Sequence, residues 1–303
     1  MTTIYDIESF YAGLVKHGLI IPTGVKGGYG RGSVFEDILR RFDDLVGRLS
    51  EPDGAQELMF PPVLPRALLD EVAYMNSFPQ LAGSVHSFFG NEAKARELST
   101  RVNDGERWED LLDITEVMLT PAACYPVYPT FSGLLPAGGR LVTLLSWVYR
   151  HEPSDEPTRL QSFRVREFVR MGQPDDVVAW RDAWLRRGLE LLNGLGLPAR
   201  SDVAADPFFG RVGKMMAANQ LDQRLKFEIL VPVISQDKPT ALCSFNWHQE
   251  YFTSKFRIRN ADESVAHTAC LGFGLERVTL ALIKAHGFDP KTWPAHVKAQ
   301  LWP

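Results

Sequence analysis

An α+β fold, an antiparallel sheet flanked by helices, is predicted by three features of this 303-residue chain. The stretch Ser146–Gly172 reads as two strands of alternating apolar and polar residues around a polar loop, Pro153–Arg159. Leu225–Ile234 and Ala241–His248 read as two more strands, the second sorting Ser244, Asn246 and His248 onto one face and Cys243, Phe245 and Trp247 onto the other. Apolar residues at helical spacing mark helices after Ser33, after Pro174 and from Val278 to Ala285.

In chain order, Ile7–Leu19 is a short amphipathic stretch. Gly27-Gly28-Tyr29-Gly30-Arg31-Gly32 lacks the Gly-Lys-Ser/Thr ending of a P-loop and reads as a flexible entry to a helix. That helix carries Phe35, Ile38, Leu39, Phe42, Leu45, Val46 and Leu49, with Ser33 and Glu36 at capping-box spacing. Glu57–Phe60 is strand-like and stops at Pro61-Pro62, because proline cannot donate to a ladder. Leu64–Met75 reads as helix, Asn91–Glu109 as charged surface helix or loop, and Thr115–Leu119 as a strand. Pro126 and Pro129 then hold the chain extended. The helix begun at Pro174, Asp175 and Asp176 stops at Gly194 and Gly196, and the Met-rich segment 207–221 reads as a helical insertion in a single catalytic domain, 1–303.

Composition narrows the function. Thirty-three Lys and Arg are scattered among 37 Asp and Glu with no basic run, so the footprint of a DNA- or tRNA-binding surface is absent. No apolar stretch reaches membrane-spanning length and the N-terminus lacks signal-peptide features, so a cytoplasmic protein is expected. Three cysteines, Cys124, Cys243 and Cys270, make no complete disulfide framework; in a reducing compartment each is a core residue, a nucleophile or a metal ligand. Cys243, among apolar neighbours, reads as core.

The chemistry concentrates on the hairpin and the last glycines. Arg150 and Glu152 project together from the first strand, Phe163, Val165 and Glu167 from the second, with Arg159 at the tip. Gly272 and Gly274 precede a helix that opens with Glu276-Arg277, a terminus that favours an anion. A helix-strand-proline unit, an Arg-x-Glu hairpin and a glycine turn ending in Glu-Arg, in that order, resemble motifs 1, 2 and 3 of class II aminoacyl-tRNA synthetases, nearest to the seryl-tRNA synthetase core. The resemblance spans about Gly32 to Gly287, nearly the whole chain. It implies that Pro61 or Pro62 lies at a homodimer interface and that Arg150 holds the α-phosphate of ATP. It further implies that Glu152 contacts the adenine amino group, Phe163 stacks on adenine, and Arg159 and Arg277 grip the outer phosphates, with Mg²⁺ bridging them.

Two departures refine the resemblance. Cys124 stands where seryl-tRNA synthetases have glutamate, and with Glu167 and Cys270 it resembles the zinc triad of the atypical methanogen enzymes. Two thiolates and a carboxylate suit Zn²⁺ and leave a fourth tetrahedral position for the amino group of an amino acid. That pattern prefers this triad to His248. The other departure is that only about thirty residues precede the motif 1 helix, where those synthetases carry a tRNA-gripping domain. The combination resembles the amino acid:carrier protein ligases. These adenylate a small amino acid, glycine or alanine, and pass it to the phosphopantetheine thiol of a carrier protein, with no tRNA expected. Ala122, Ser244 and Asn246 are the candidate amino-acid contacts, and the insertion, with Arg211 and Lys214, is the candidate docking helix for an acidic carrier. A stand-alone aminoacyl-tRNA synthetase and a non-catalytic amino-acid- or nucleotide-binding paralogue are the alternatives.

Overall fold

A computed structural model describes residues 4–303. Met1 to Thr3, the start of the segment read as lacking a leader, lie outside the described residues. Seven strands form the main sheet in the order Arg200–Val203, Lys226–Val231, Thr240–Gln249, His267–Gly274, Ser162–Gly172, Arg140–Tyr149, Gln56–Glu57. Every neighbour pair is antiparallel except the last, where Gln56 and Glu57 run parallel to Val142 and Thr143. With helices against the sheet, this is the expected α+β architecture with one parallel edge. Among the described residues no helix is long and apolar enough to cross a membrane.

Strand parity divides the interior in two. Phe168, Phe245, Leu271 and Phe273 point to the side covered by the helices Ser33–Ser50, Pro174–Gly194 and Leu275–His286, where they pack with Phe35, Ile38, Phe42 and Trp184. Cys243 belongs to this core. Each large side chain buried here contributes roughly 1.5–3 kcal/mol. Val142, Leu144, Val169 and Cys270 point to the other side, against Cys124, Tyr128 and Phe252.

Ion pairs fix the helix side. Arg164 grips Glu36 with two bonds of 2.6 and 2.7 Å, and Arg166 grips Asp43 with two of 2.7 Å. This bidentate pairing explains why the capping box does not form: Gly32 is the N-cap, Ser33 lies inside the helix, and the Glu36 carboxylate is turned to a guanidinium.

Other local expectations are corrected by tertiary pairing. Gly27–Gly32 is no loose entry, since Gly28–Arg31 pairs with Ile20–Val25 as a hairpin. Leu64–Met75 is not one helix. Val63–Pro65 pairs with the strand Asp113–Leu119, Arg66–Glu71 is helical, and Ala73, at φ 51°, breaks the chain before Tyr74–Ser77. Of the strand-like segment Glu57–Phe60 only Glu57 lies in a strand of the sheet, Gln56–Glu57, with Leu58 donating once more to the Thr143 carbonyl. Tyr125–Phe131 winds into 3₁₀ turns instead of running extended, Pro126 occupying the first turn where its missing N–H costs nothing. Between Asn91, whose side chain caps Lys94 N, and Gly105 the charged segment is a helix, Glu92–Asp104, and in the segment 207–221 a helix, Gly210–Asp222, runs one residue past the expected end.

Candidate active site

On the side away from the three helices lies a cavity of about 450 Å³. Register decides what meets there. On the strand His267–Gly274, Asn246 and Val169 flank Cys270, while Ser244 and Glu167 flank Gly272. Gly272 keeps this floor open, since a Cβ there would come within 3.0 Å of Val165 Cγ1. Cys124 arrives from another element, as the N-cap of the 3₁₀ segment that follows the strand Asp113–Leu119. One ligand atom each from Cys124, Glu167 and Cys270 lie within 4.8 Å of one another, all three residues buried.

The electrostatics of this cluster are compatible with a bound cation. Burial pushes the Glu167 carboxyl up, against the thiols of Cys270 and Cys124, which pull it down. At Cys124 the hydrogen bond with Cys270 lowers the thiol, but burial and the Glu167 charge outweigh it and leave it raised. Cys270 is held well above the usual thiol range, first by its hydrogen bond to Cys124 and then by burial. Three acidic groups thus share a desolvated spot in which their charged forms disfavour one another. Two sulfurs and a carboxylate oxygen fit Zn²⁺, which favours those charged forms.

Asn246 Nδ2 donates to Cys270 Sγ at 3.5 Å, which lowers that thiol and gives the residue a role beside the cluster. His248 Nε2 lies 3.5 Å from the same sulfur and Nδ1 3.1 Å from Thr268 Oγ1. Burial pulls the His248 pKa down to about 4, so it is neutral near pH 7. Among the described residues the metal-compatible cluster contains no histidine.

Two guanidiniums open on the same cavity. Arg150 Nε donates to the Pro121 carbonyl at 3.1 Å, and its guanidinium carbon lies 5.8 Å from the centre of the Phe163 ring. Arg277 donates to the carbonyls of Thr158 at 3.0 Å and Ala241 at 3.1 Å. Burial lowers the Arg277 pKa, and Arg150 nearby lowers it further. Backbone carbonyls fix both cations without neutralising them, leaving positive charge for an anion. Ala122, Ser244 and Asn246 line the same cavity as the arginines and the thiols.

Glu152 and Arg159 fall elsewhere. The strand ends at Tyr149, so Arg150 and Glu152 do not share a strand face; both lie in the loop beyond it. Arg159 is half exposed, 3.5 Å from Glu152 and 3.9 Å from Glu156, and neither Glu152 nor Arg159 lines the cavity. Their charges still reach Arg277.

One polar group of the lining escaped the sequence reading. Lys226 Nζ lies 2.6 Å from Asp206 and 3.1 Å from Glu228, and Asp206 Oδ2 accepts from Gln220 of the helix Gly210–Asp222 at 2.8 Å. Burial opposes the Lys226 charge, but the two carboxylates outweigh it and raise its pKa. The polar alternation Lys226-x-Glu228 on an apolar strand was the available signal; Asp206 carried none.

No protein-family model matches the chain. Among curated proteins it is 43% identical to amino acid--[acyl-carrier-protein] ligase 1 of Bradyrhizobium diazoefficiens, over 91% of this chain and 85% of the relative. It is 42% identical to ligase 2 of that organism, over 92% and 84%. Among solved structures, M. kandleri SerRS in complex with A. aeolicus tRNASec superimposes with a TM-score of 0.81 at 20% identity, over 96% of this chain and 60% of that one. Prolyl-tRNA synthetase from Cryptosporidium parvum, complexed with halofuginone and AMPPNP, gives 0.68 at 13% identity, over 92% and 52%. The structures show a class II synthetase fold. The sequence identity, sustained over nine-tenths of the chain, goes further: the chain belongs to the amino acid--[acyl-carrier-protein] ligases.

Proposed function

We infer that the chain adenylates a small amino acid with ATP and transfers it to the phosphopantetheine thiol of a carrier protein. The observation that carries this reading is the meeting, in one cavity, of two arginines held by backbone carbonyls with the buried cluster Cys124, Glu167 and Cys270. In the first step a carboxylate oxygen of the amino acid attacks the α-phosphorus and pyrophosphate leaves. Arg150, fixed by Pro121, meets the charge developing on the α-phosphate oxygens; Arg277 and Phe163 orient the nucleotide. In the second step the thiol attacks the acyl carbonyl, the acyl–phosphate bond breaks, and AMP leaves with the thioester formed.

Zinc, held by Cys124, Glu167 and Cys270, would offer its open position to the amino group, and Mg²⁺ would accompany ATP. Glycine or alanine is the substrate the family resemblance implies. It also implies a homodimer with Pro61 or Pro62 at its interface and a single catalytic domain. Contacts of Glu152 with the adenine amino group and of Arg159 with the outer phosphates are likewise what that resemblance implies.

The helix Gly210–Asp222 suits carrier docking. Met216, Asn219 and Gln220 line the cavity, whereas Arg211 and Lys214 are exposed beside Val212 and Met215, each 70% exposed. Reversing both charges, Arg211→Glu with Lys214→Glu, is expected to lower transfer to an acidic carrier on the order of tenfold while leaving adenylation intact. Unchanged transfer removes the docking assignment.

The reading is tested by ATP–pyrophosphate exchange across the twenty amino acids, followed by mass spectrometry of a phosphopantetheinylated carrier. Exchange with glycine or alanine and a matching mass increment on the carrier are expected. Aminoacylation of total tRNA without carrier loading would establish a synthetase instead.

A further inference from the structure

The hairpin Ile20–Val25/Gly28–Arg31, which the proposed chemistry leaves without a role, reaches across to the loop between the two long strands. Its tip is bonded to Gln161, a buried residue at the end of that loop. The Gly27 carbonyl accepts from Gln161 N at 2.8 Å, and the Lys26 carbonyl accepts from Gln161 Nε2 at 2.7 Å. Gln161 Oε1 in turn accepts from Tyr149 OH at 3.1 Å, and Gln161 O accepts from Arg150 N at 2.8 Å. At the other end of the hairpin, Arg31 donates to the Ser162 carbonyl at 2.8 Å and lies 3.3 Å from Glu276, the neighbour of Arg277.

Gly27 is required by this contact. Its φ is +70°, and a Cβ would stand 2.9 Å from the Arg159 carbonyl oxygen. The exposed pair Lys26–Asp155 adds little to the buried bonds.

We propose that this hairpin is a clamp, acting through the positioning residues Gln161 and Gly27, that sets the loop from Arg150 to Gln161 for the nucleotide. The proposal rests on the ATP reading above. It predicts a selective defect, because the clamp touches the arginine end of the cavity and makes no bond to the thiol cluster.

Gln161→Leu keeps the side-chain bulk and the backbone bonds but loses both side-chain bonds, while Gly27→Ala pushes the tip off the loop. In either variant, amide hydrogen exchange over residues 150–161 is expected to quicken about tenfold or more against an unchanged sheet. The KM for ATP in pyrophosphate exchange should rise about tenfold, with kcat within about threefold and the amino-acid KM within about twofold. Unchanged loop exchange, or equal rises in both KM values, overturns the clamp. A loosened loop in the variants of a protein whose wild type catalyses no exchange leaves the clamp standing and overturns the nucleotide reading.

Discussion

Arg150→Lys is expected to slow adenylate formation about 100–1000-fold, the cost of losing one fixed donor at a developing anion. Arg150 spends its Nε on the Pro121 carbonyl and keeps its terminal nitrogens for the cavity. Lysine has a single nitrogen for both tasks and none of the planar geometry that matches two phosphate oxygens. The loss should fall on kcat more than on the KM for ATP, because the charge being met develops in the transition state. Steady-state pyrophosphate exchange measures it, and a lysine variant with full exchange would remove Arg150 from the phosphate.

Cys270→Ser is expected to have a comparable effect at the other end of the cavity. The serine hydroxyl stays protonated and is a poor ligand for zinc, so a three-residue site falls to two. Loss of a supporting partner alone typically lowers metal affinity about 10–100-fold, and loss of a ligand should exceed that. The variant should therefore purify without stoichiometric zinc and lose amino-acid-dependent exchange, while retaining ATP binding through Arg150, Phe163 and Arg277. Because the site raises both thiols and the carboxyl, zinc affinity of the wild type should climb as pH rises and these groups surrender their protons. A Cys270→Ser protein with wild-type zinc content contradicts the ligand assignment.

The site was legible in the sequence where alternation or spacing determines geometry. Parity on one strand put Glu167 with Phe163 and Val165, and parity on another put Ser244 and Asn246 together; the register then brought Glu167 and Cys270 onto one floor. What was not legible depends on partners far along the chain. Glu36 has the local signature of a capping residue, but Arg164, 128 positions away, takes its carboxylate. The glycines at 27–32 looked loose until paired with Ile20–Val25 and set against Gln161. Leu64–Met75 has helical spacing, yet Val63–Pro65 is captured by the strand Asp113–Leu119. Asp206 carries no local signal, and only the fold sets it between Lys226 and Gln220 of the helix Gly210–Asp222.

The central claim is that Cys124, Glu167 and Cys270 close around one zinc ion beside the arginines. Zinc K-edge X-ray absorption on the purified protein tests it most directly. One zinc per chain is predicted, with two sulfur neighbours at about 2.3 Å and the remaining neighbours oxygen or nitrogen at about 2.0–2.2 Å. A protein free of zinc, or a zinc with no sulfur in its shell, would contradict it.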